Sequence, residues 1–473
     1  MGRNGGATMV ARSRRVHFVG VGGIGMSGIA EVLVNLGFAV SGSDLAERDT
    51  TRRLAALGAN IRCGHDPSHI TPDIDVVVTS SAVTADNPEV ARARALKIPV
   101  IPRAEMLAEL MRMKIGVAVA GTHGKTTTTS LVATLLHEGG LDPTVMVGGI
   151  VRTLGTNARL GQGQHLVAEA DESDGSFLLL SPTIAVVTNI DPEHLDYYGD
   201  MDRAHEAYLT FMNRVPFYGA TVACIDSPGV RALLPRMRKP VWTYGESLEA
   251  DYTARGMRVR GGTTSFEVWR GDARLGPVTL QMPGRHHALN ALAALIVAAE
   301  LEIPFDVGVD ALARFGGIHR RFELLGEIGG VMIVDDYGHH PAEIVATIRA
   351  AREGFDRRLV VVFQPHRFSR TRDLFDDFVG AFDAADLLVL TEIYPAGERP
   401  IAGTTGEALY SELVRRGRLP VHFVPERAAV ARAVQALVAA GDLVLVLGAG
   451  DIARCAHELM ALLAGGTEAV RPA

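Results

Sequence analysis

A segment rich in glycine and threonine, Ala120–Thr129 (A-G-T-H-G-K-T-T-T-T), has the residue types that hold a nucleoside triphosphate. Its two glycines let the backbone approach a phosphate closely, and the N–H groups at the start of a following helix face the anion. The lysine suits the outer phosphates, and the hydroxyl of Thr126 or Thr127 suits Mg²⁺. The usual pattern G-x-x-x-x-G-K-[ST] is shortened, because its first glycine is replaced by valine. The candidate nucleotide-binding residues are Gly121, Thr122, His123, Gly124, Lys125, Thr126 and Thr127.

Carboxylates follow the next apolar run of the chain, His165–Ala168, in the sequence E-A-D-E-S-D. Carboxylate oxygens at a strand end near a phosphate loop are the hard ligands that Mg²⁺ prefers. A solvated charged turn is the alternative. His194 lies farther on, in D-P-E-H-L-D after another apolar run, where it either completes a second metal site or caps a helix.

A second glycine motif, G-V-G-G-I-G at Gly20–Gly25, comes between a predicted strand and a predicted helix near the start of the chain. It predicts a pyrophosphate at the helix beginning near Ile24, and on fold grounds alone the ligand would be NAD. Asp44 ends the next strand, at about the distance expected for a ribose contact. His65 and Ser80 follow later strands, at the edge where such sheets bind ligands. Tight helix–sheet packing is the alternative role of the glycines.

Polar clusters follow predicted strands in the last third of the chain, and they include D-D-Y-G-H-H-P (335–341) and Q-P-H-R-F-S-R-T (364–371). These strand ends should meet at one ligand-binding edge. Arg367 and Arg370 lie together if a helix begins there, and paired arginines suit a carboxylate or a phosphate. His339 and His340 have no nearby Cys or His partners, which disfavours zinc.

The elements that position these residues alternate between strands and helices over most of the chain, which predicts an α/β fold. The length of 473 residues predicts about three domains. We assign residues 1–112 to a Rossmann-like domain, with residues 1–13 disordered. We assign residues 113–318 to a P-loop ATPase-type α/β domain with a small antiparallel sheet near 250–282, and residues 319–473 to a second Rossmann-like domain.

Composition narrows the possible functions. The net charge is −7, which disfavours sequence-independent nucleic-acid binding. Three widely spaced cysteines form no C-x-x-C and indicate neither a disulfide framework nor zinc, as expected for a reducing cytosol. Because no apolar stretch is long enough to span a bilayer, we expect a cytoplasmic protein without a membrane partner.

The motifs also occur in a known order. The set G-V-G-G-I-G-M-S-G, G-T-H-G-K-T-T-T, E-A-D-E-S-D, T-N-I-D-P-E-H-L-D, H-R-R-F-E, D-D-Y-G-H-H-P and H-R-F-S-R-T resembles the Mur ligases of bacterial cell-wall synthesis. The resemblance runs from about Val16 to the C-terminus. It implies ATP- and Mg²⁺-dependent ligation of L-alanine to UDP-N-acetylmuramate through an acyl phosphate, in peptidoglycan synthesis and thereby in cell shape and division.

The resemblance also implies roles for individual residues. UDP, rather than NAD, would bind the first domain through Gly22, Gly23, Asp44, His65 and Ser80. ATP would contact Lys125, Asn290, Arg321 and Asp336, with metal ions on Thr126, Glu169 and His194. L-Alanine would lie near Tyr337, His339, Arg367 and Arg370, with His339 as a plausible base for the amine. Domain closure would protect the acyl phosphate from water.

Two departures from the family pattern concern the nucleotide site. The family usually has H-N-x-x-N at the adenine helix, whereas His287 replaces the first amide here. Sister enzymes use a carbamylated lysine after the His194 region, but this chain has no lysine between Lys125 and Lys239.

Three other functions remain as alternatives. One is a recycling ligase that joins a preformed tripeptide to the same UDP-sugar. The others are an NAD-dependent oxidoreductase, which leaves the phosphate loop unexplained, and a non-catalytic nucleotide switch. We expect a monomer or a weak homodimer.

Overall fold

The computed structural model describes residues 14–80, 82–151 and 156–465, so the expectation for residues 1–13 lies outside the described residues. Within these ranges the strands form three sheets, of five, ten and six strands. Most pairings are parallel, and helices lie between most of the strands along the chain. The α/β prediction is therefore confirmed. Among the described residues, no helix has the length and apolarity that crossing a lipid bilayer requires.

The first sheet is parallel, with the order β3-β2-β1-β4-β5. Its strands and helices are β1 (Arg15–Val19), α1 (Ile24–Asn35), β2 (Ala39–Asp44), α2 (Asp49–Ala56), β3 (Asn60–Cys63), β4 (Val76–Thr79), α3 (Pro88–Ala95), β5 (Val100–Pro102) and α4 (Arg103–Arg112). Strands buried on both faces read as nearly continuous apolar runs, as in the sequence V-H-F-V of β1. The strand order reverses at β1, which is where open α/β sheets bind ligands.

The second sheet has the order β15-β14-β13-β12-β11-β10-β6-β9-β7-β8. Its strands are β6 (Ile115–Ala120), β7 (Thr144–Val151), β8 (Thr156–Arg159), β9 (His165–Glu169), β10 (Ile184–Val187), β11 (Ala220–Cys224), β12 (Val241–Gly245), β13 (Tyr252–Arg260), β14 (Thr263–Arg270) and β15 (Ala273–Leu280). Its helices are α5 (Lys125–Glu138), α6 (Leu195–Tyr198), α7 (Met201–Met212), α8 (Pro228–Leu233), α9 (Arg285–Glu300) and α10 (Phe305–Ala313). Two-residue turns join β13, β14 and β15, which makes them hairpins and confirms the antiparallel prediction for this region.

The central strand β6 determines where the phosphate loop lies. It pairs in parallel with β9 on one side and with β10 on the other. Helix α5 begins at Lys125, directly after the loop, and most of its side chains are buried. The carboxyl ends of three neighbouring strands therefore surround the loop, as the sequence predicted for β6 and β9.

The third sheet has the order β16-β17-β21-β18-β19-β20, with β16 antiparallel at one edge. Its strands are β16 (Glu323–Ile328), β17 (Val331–Asp336), β18 (Arg358–Phe363), β19 (Leu387–Leu390), β20 (Val421–Phe423) and β21 (Asp442–Leu447). Its helices are α11 (Pro341–Gly354), α12 (Phe368–Asp373), α13 (Phe375–Gly380), α14 (Gly406–Arg416), α15 (Arg427–Gln435) and α16 (Ala453–Leu463). The polar clusters of the sequence follow β17, β18, β19 and β21, which are neighbours in the sheet.

Internal contacts divide the chain into two compact units. The first unit comprises the described residues of Met1–Thr253, Trp269–Ala273 and Asn290–Ala311. The second unit comprises those of Ala254–Val268, Arg274–Leu289 and Leu312–Ala473. Both glycine motifs belong to the first unit, and the polar clusters of the third sheet belong to the second.

Candidate active site

Lys125 reaches back over the loop from the first turn of α5. Its ammonium donates hydrogen bonds to the carbonyl oxygens of Gly121 at 2.7 Å and Thr122 at 3.2 Å. It also pairs with Glu172 Oε1 at 2.7 Å. Burial opposes the charge, but the surrounding carboxylates, Glu172 first among them, raise the pKa of Lys125 above its ordinary value. The lysine is thus a fixed cation at the loop, as phosphate binding requires.

The end of β10 holds the phosphate loop in shape. The backbone N–H of His123 donates to Asn189 Oδ1 at 2.8 Å, and the hydroxyl of Thr188 donates to the His123 carbonyl oxygen at 2.6 Å. The Thr122 hydroxyl accepts from the Asp191 N–H at 2.9 Å. Hydrogen bonds from the end of β10 thereby fix the loop that follows β6.

Gly124 ends the loop in the left-handed region, with φ of +81°. A Cβ at this position would lie 2.9 Å from Asn290 Oδ1, so the close approach also requires glycine. Asn290, which is buried, therefore lies against the phosphate loop, where the sequence predicted a nucleotide contact. Its role in binding ATP stays a prediction.

The acidic run provides a buried carboxylate beside the loop. Burial raises the pKa of Glu172 to about 7, although Lys125 acts in the opposite direction. Glu172 Oε2 is buried and has no hydrogen-bond partner among the described residues. His194 Nε2 lies 3.9 Å from Glu172 Oε1. Sequence reasoning placed the metal on Glu169 and did not single out Glu172, although both belong to the same acidic run.

The acidic run supplies further candidate ligands for a divalent cation. Glu169 ends β9 at the position paired with Val119 of β6, and its side chain is half-buried. Carboxylate oxygens are the hard ligands that Mg²⁺ prefers, and the unpartnered buried oxygen of Glu172 is one of them. Thr126 is the second residue of α5. The metal assignments of Thr126, Glu169 and His194 stay predictions.

The first glycine motif and the residues predicted with it come together at the edge of the first sheet. The N–H of Gly22 donates to Asp44 Oδ2 at 2.8 Å, and a Cβ on Gly22 would lie at that same distance from the oxygen. Gly23 caps α1. Ser80 Oγ lies close to the position of Gly20 Cβ, and His65 Nδ1 lies 3.0 Å from Ser43 Oγ. The carboxyl ends of β1, β2, β3 and β4 thus form one polar edge.

In the second unit, aromatic and cationic side chains gather after β17 and β18. The rings of Tyr337 and His339 are 5.4 Å apart, and those of His339 and His366 are 5.6 Å apart. Arg370 Nη1 donates to the His366 carbonyl oxygen at 3.2 Å. Arg367 precedes α12 with φ of +72°, and its side chain is 43% exposed. The structure therefore brings the predicted alanine-site residues into one cluster.

The contacts of two histidines in this cluster bear on their protons. His339 Nδ1 lies 3.0 Å from the Tyr337 carbonyl oxygen, which can only accept, so Nδ1 carries a proton. Burial, followed by nearby His339 and the arginines, lowers the pKa of His366 to about 3, so this ring is neutral. Sequence reasoning did not select His366, although it lies beside Arg367 in the motif.

Asp336 and Arg321 lie near this cluster. Asp336 is buried and accepts hydrogen bonds from the N–H groups of Phe322 and Gly338, each at 2.7 Å. Burial raises its pKa to about 6. The guanidinium of Arg321 lies 5.2 Å from the ring centre of Tyr337. Their contacts to a nucleotide stay predictions.

His287 is unusual among the described residues. Both of its ring nitrogens are buried without a hydrogen-bond partner. Burial lowers its pKa well below the ordinary value, so the ring is neutral. The ring of His286 lies 4.0 Å away. His287 is thus accommodated as an uncharged ring at the position where the family pattern has an amide.

Comparison with known proteins defines the class. Family models match nearly the whole chain in order: "Mur ligase family, catalytic domain" at residues 15–115, "Mur ligase middle domain" at 119–298 and "Mur ligase, glutamate ligase domain" at 320–450. The chain belongs to the Mur ligase family, as its motifs indicated.

Individual relatives place it within that family. The UDP-N-acetylmuramate–L-alanine ligase of Anaeromyxobacter sp. (strain Fw109-5) is 58% identical over 453 residues, which cover 96% of this chain and 98% of that protein. The solved UDP-N-acetylmuramate–alanine ligase of Thermotoga maritima has a TM-score of 0.78 at 30% identity, covering 95% and 98% of the two chains. A murein peptide ligase of Psychrobacter arcticus 273-4 shares the fold, with a TM-score of 0.66 at 22% identity over 96% of this chain and 100% of that chain.

Proposed function

We propose that this protein is an ATP-dependent ligase that joins L-alanine to UDP-N-acetylmuramate in peptidoglycan precursor synthesis. The observation that carries the proposal is the phosphate loop, where the fixed ammonium of Lys125 faces the buried carboxylate of Glu172. It occurs in a chain that is 58% identical, over nearly its full length, to a relative named for this reaction.

The reaction has two steps. A carboxylate oxygen of the muramate attacks the γ-phosphorus of ATP, which forms an acyl phosphate and releases ADP. The alanine nitrogen then attacks the acyl carbon, inorganic phosphate leaves, and the nitrogen loses a proton. Because a carboxylate and a triphosphate repel each other, a cation must stabilise the first transition state, and we assign this role to Lys125.

We also propose that the reaction requires Mg²⁺, because carboxylates of the acidic run lie close to the phosphate loop. Glu169, Glu172 and His194, with the Thr126 hydroxyl, are the residues that would hold Mg²⁺. When bound, Mg²⁺ supplies positive charge that offsets the charge of the phosphates. Glu172 is our addition to the residues selected from sequence, and its unpartnered buried oxygen supports it.

The second unit supplies groups for the amino acid. We assign the carboxylate of L-alanine to Arg367 and Arg370, because guanidinium groups bind carboxylates through charge-assisted hydrogen bonds. We assign proton removal from the amine to His339, whose Nε2 is basic when its Nδ1 donates to the Tyr337 carbonyl oxygen. Tyr337 lines the same cluster.

The competing functions are less well supported. The 58% identical relative is named for alanine, whereas the murein peptide ligase shares only the fold at 22% identity. An NAD-dependent oxidoreductase would leave Lys125 and Glu172 without a role. We place the protein in the cytoplasm, as a monomer or weak homodimer without nucleic-acid or membrane partners, in agreement with its charge of −7.

A substrate panel tests the proposal. The purified protein is given ATP, Mg²⁺ and UDP-N-acetylmuramate with L-alanine, glycine, L-serine or a tripeptide, and both ADP and the ligated product are measured. We expect product chiefly with L-alanine. Tripeptide ligation without alanine ligation would favour the recycling reaction, and ADP without any ligated product would contradict both.

A further inference from the structure

A buried carboxylate lies behind the proposed UDP-binding edge of the first sheet. Glu89, in the first turn of α3, is fully buried. Its Oε2 accepts from the Ser43 hydroxyl at 2.5 Å, and its Oε1 lies 2.5 Å from His69 Nδ1. His65 Nδ1 is 3.3 Å and His17 Nε2 is 3.6 Å from Oε2. One carboxylate therefore lies within hydrogen-bond distance of two imidazoles and a hydroxyl, with a third imidazole, that of His17, slightly farther away.

The positions of the protons follow from these contacts. Burial opposes ionisation, but the surrounding imidazoles and the Ser43 hydroxyl lower the pKa of Glu89 to about 2, so it is a carboxylate that only accepts. Ser43 donates its single hydrogen to Glu89, so it can only accept from His65 Nδ1, 3.0 Å away. His65 therefore carries its proton on Nδ1, and Nε2 of the neutral ring is an acceptor.

Two of these histidines, His17 and His65, differ in the exposure of their side chains. The side chain of His17 is only 2% exposed, whereas that of His65 is 15% exposed. Within the part of the chain that the structure describes, His65 Nε2 has no protein hydrogen-bond partner and is not among the fully buried nitrogens. His65 therefore presents an accessible acceptor, and Glu89 with Ser43 determines that it is an acceptor.

We infer that Glu89 is a positioning residue for nucleotide recognition: acting through Ser43 and the Nδ1–H of His65, it keeps His65 Nε2 as the acceptor for a hydrogen-bond donor of the uridine group. This inference rests on the proposed binding of UDP-N-acetylmuramate. Uridine offers the imide N3–H and the two ribose hydroxyls as donors. A base without an N3–H, such as cytosine, would place a lone pair against the acceptor, so an imide contact would also select the base.

Two substitutions test how Glu89 and Ser43 act on His65. Glu89→Gln keeps the size of the side chain but removes the charge, and its amide can donate as well as accept. Ser43→Ala keeps the anion but removes the hydroxyl that accepts from His65. Glu89→Gln frees the His65 ring to place its proton on Nε2, which turns the acceptor into a donor. Ser43→Ala leaves Nδ1–H only the longer contact with Glu89 Oε2, at 3.3 Å, so the preference for this tautomer should weaken. Neither residue contacts the reacting groups in this account, so turnover at saturation should change little.

The matched control lies on the same strand. Ser41 also binds a histidine, with its Oγ 2.9 Å from His17 Nδ1. Because His17 is buried, Ser41→Ala removes the same kind of bond without altering an accessible imidazole. His65→Ala is the positive control, since it removes the acceptor itself.

The experiment measures inhibition constants of UDP, N3-methyl-UDP, 2′-deoxy-UDP and 3′-deoxy-UDP against UDP-N-acetylmuramate for the full-length protein and each variant. For the wild type we expect one analogue to bind about tenfold more weakly than UDP, the cost of leaving a buried polar group unpaired. In Glu89→Gln and His65→Ala that discrimination should disappear, in Ser43→Ala it should weaken, and in Ser41→Ala it should remain. The kcat of Glu89→Gln, Ser43→Ala and Ser41→Ala should change less than about threefold.

The outcomes separate the two proposals. The analogue that loses affinity identifies the donor, whether imide or hydroxyl. Unchanged discrimination in Ser43→Ala and Glu89→Gln overturns the inference, and should Glu89→Gln fail to fold, Ser43→Ala alone decides. Failure of UDP itself to compete in the wild type would instead contradict the proposed function.

Discussion

The ion pair between Lys125 and Glu172 shows how the charges of the phosphate loop are arranged. The ammonium lies between two loop carbonyl oxygens and one carboxylate oxygen, and the second oxygen of Glu172 has no partner. A phosphate brought to the loop would compete with Glu172 for Lys125, and a cation would then neutralise the displaced carboxylate. In the proposed function, Lys125 would then pair with a phosphate of ATP, and Glu172 would pair with Mg²⁺.

Replacement of Lys125 tests the first of these uses. We expect Lys125→Ala to reduce ADP formation by at least about a thousandfold, because the transition state loses its fixed cation. Binding of UDP-N-acetylmuramate, measured by calorimetry, should stay within a few-fold. Lys239→Ala is the control, since Lys239 lies outside the loop. Near-normal turnover of Lys125→Ala would remove the residue from its role.

Replacement of Glu169 tests the metal site. Glu169→Ala should raise the Mg²⁺ concentration needed for half-maximal activity, because one hard oxygen ligand is lost. Asp174→Ala is matched to it, because Asp174 belongs to the same acidic run but is exposed and accepts from the Ser176 N–H. A Mg²⁺ titration identical to that of the wild type would show that Glu169 is not a ligand.

The pKa of Glu89 gives a prediction for acid stability. Its pKa is about 2 in the folded protein, against an ordinary value of 4.5, so the carboxylate stabilises the fold above pH 4.5. This contribution, about 3 kcal/mol, is lost as the pH falls from 4.5 through 2. Urea unfolding of wild type and Glu89→Gln should therefore differ most at neutral pH and converge in acid.

The control for this titration is Glu109→Gln. Glu109 forms an exposed pair with Arg112 on α4, and exposed pairs contribute little. This variant should unfold like the wild type at every pH. A difference between wild type and Glu89→Gln that is independent of pH would mean that packing, and not the charge of Glu89, causes the loss.

At the scale of strands and helices, the sequence best predicts where the buried strands end. The sequence predicts β6 with its observed bounds, Ile115–Ala120, because an apolar run followed by a glycine turn has few other solutions. It does not predict β7, because two glycines interrupt the apolar pattern of this strand. It does not predict β16 either, because this edge strand is recognised only by its pairing with β17. Helix α9 begins at Arg285 with the polar residues R-H-H, and apolar periodicity alone does not mark such a first turn.

Some site residues could not be identified from the sequence, because their partners lie on other elements. Glu172 is one of several acidic residues in its run, and only the contact of α5 with this run distinguishes it from Asp174. Glu89 lies in an ordinary helix start, N-P-E, and acquires its role from Ser43 and His65 on other elements. A motif identifies a loop whose residues act together over a short stretch of sequence. Residues that the sheet brings together from distant parts of the chain can be identified only once the fold is known.

The helix α5 and its loop carry an element-scale prediction. Gly124 precedes α5 with φ of +81°, and Gly140 lies just beyond its end with φ of +78°. A Cβ at Gly124 would meet Asn290, whereas at Gly140 nothing lies within 4 Å. Both alanine variants should lose about 1 kcal/mol of stability from the left-handed backbone. Only Gly124→Ala should raise the KM for ATP, by about tenfold or more, since it alone disturbs the loop.

Equal KM values for ATP in Gly124→Ala and Gly140→Ala would contradict this account. The two glycines have nearly the same backbone conformation. A difference in KM between the two variants therefore reports the contact of the loop with Asn290 and not the cost of the conformation. Thermal unfolding midpoints are measured in parallel: the loss in Gly140→Ala gives the conformational cost, and any further loss in Gly124→Ala gives the cost of the contact with Asn290.

At the scale of the whole molecule, the candidate sites are divided between the two units. The residues proposed for UDP and the phosphate loop belong to the first unit, and Tyr337, His339, Arg367 and Arg370 belong to the second. Such a division lets each substrate be recognised by separate elements, while a reaction requires all of them together. It also means that each ligand should protect a different part of the chain.

Hydrogen exchange followed by mass spectrometry tests that division. A ligand protects amides near its site and stabilises the unit that binds it, by about 2.7 kcal/mol at a hundred times its Kd. UDP-N-acetylmuramate should slow exchange in peptides that cover residues 20–25, 44 and 65, with little change in 337–371. Adding a non-hydrolysable ATP analogue should extend protection to residues 121–127, and L-alanine should add residues 337–340 and 366–371. Protection of residues 366–371 by the UDP-sugar alone, with none in the first sheet, would contradict the assignment of the nucleotide-sugar to the first unit.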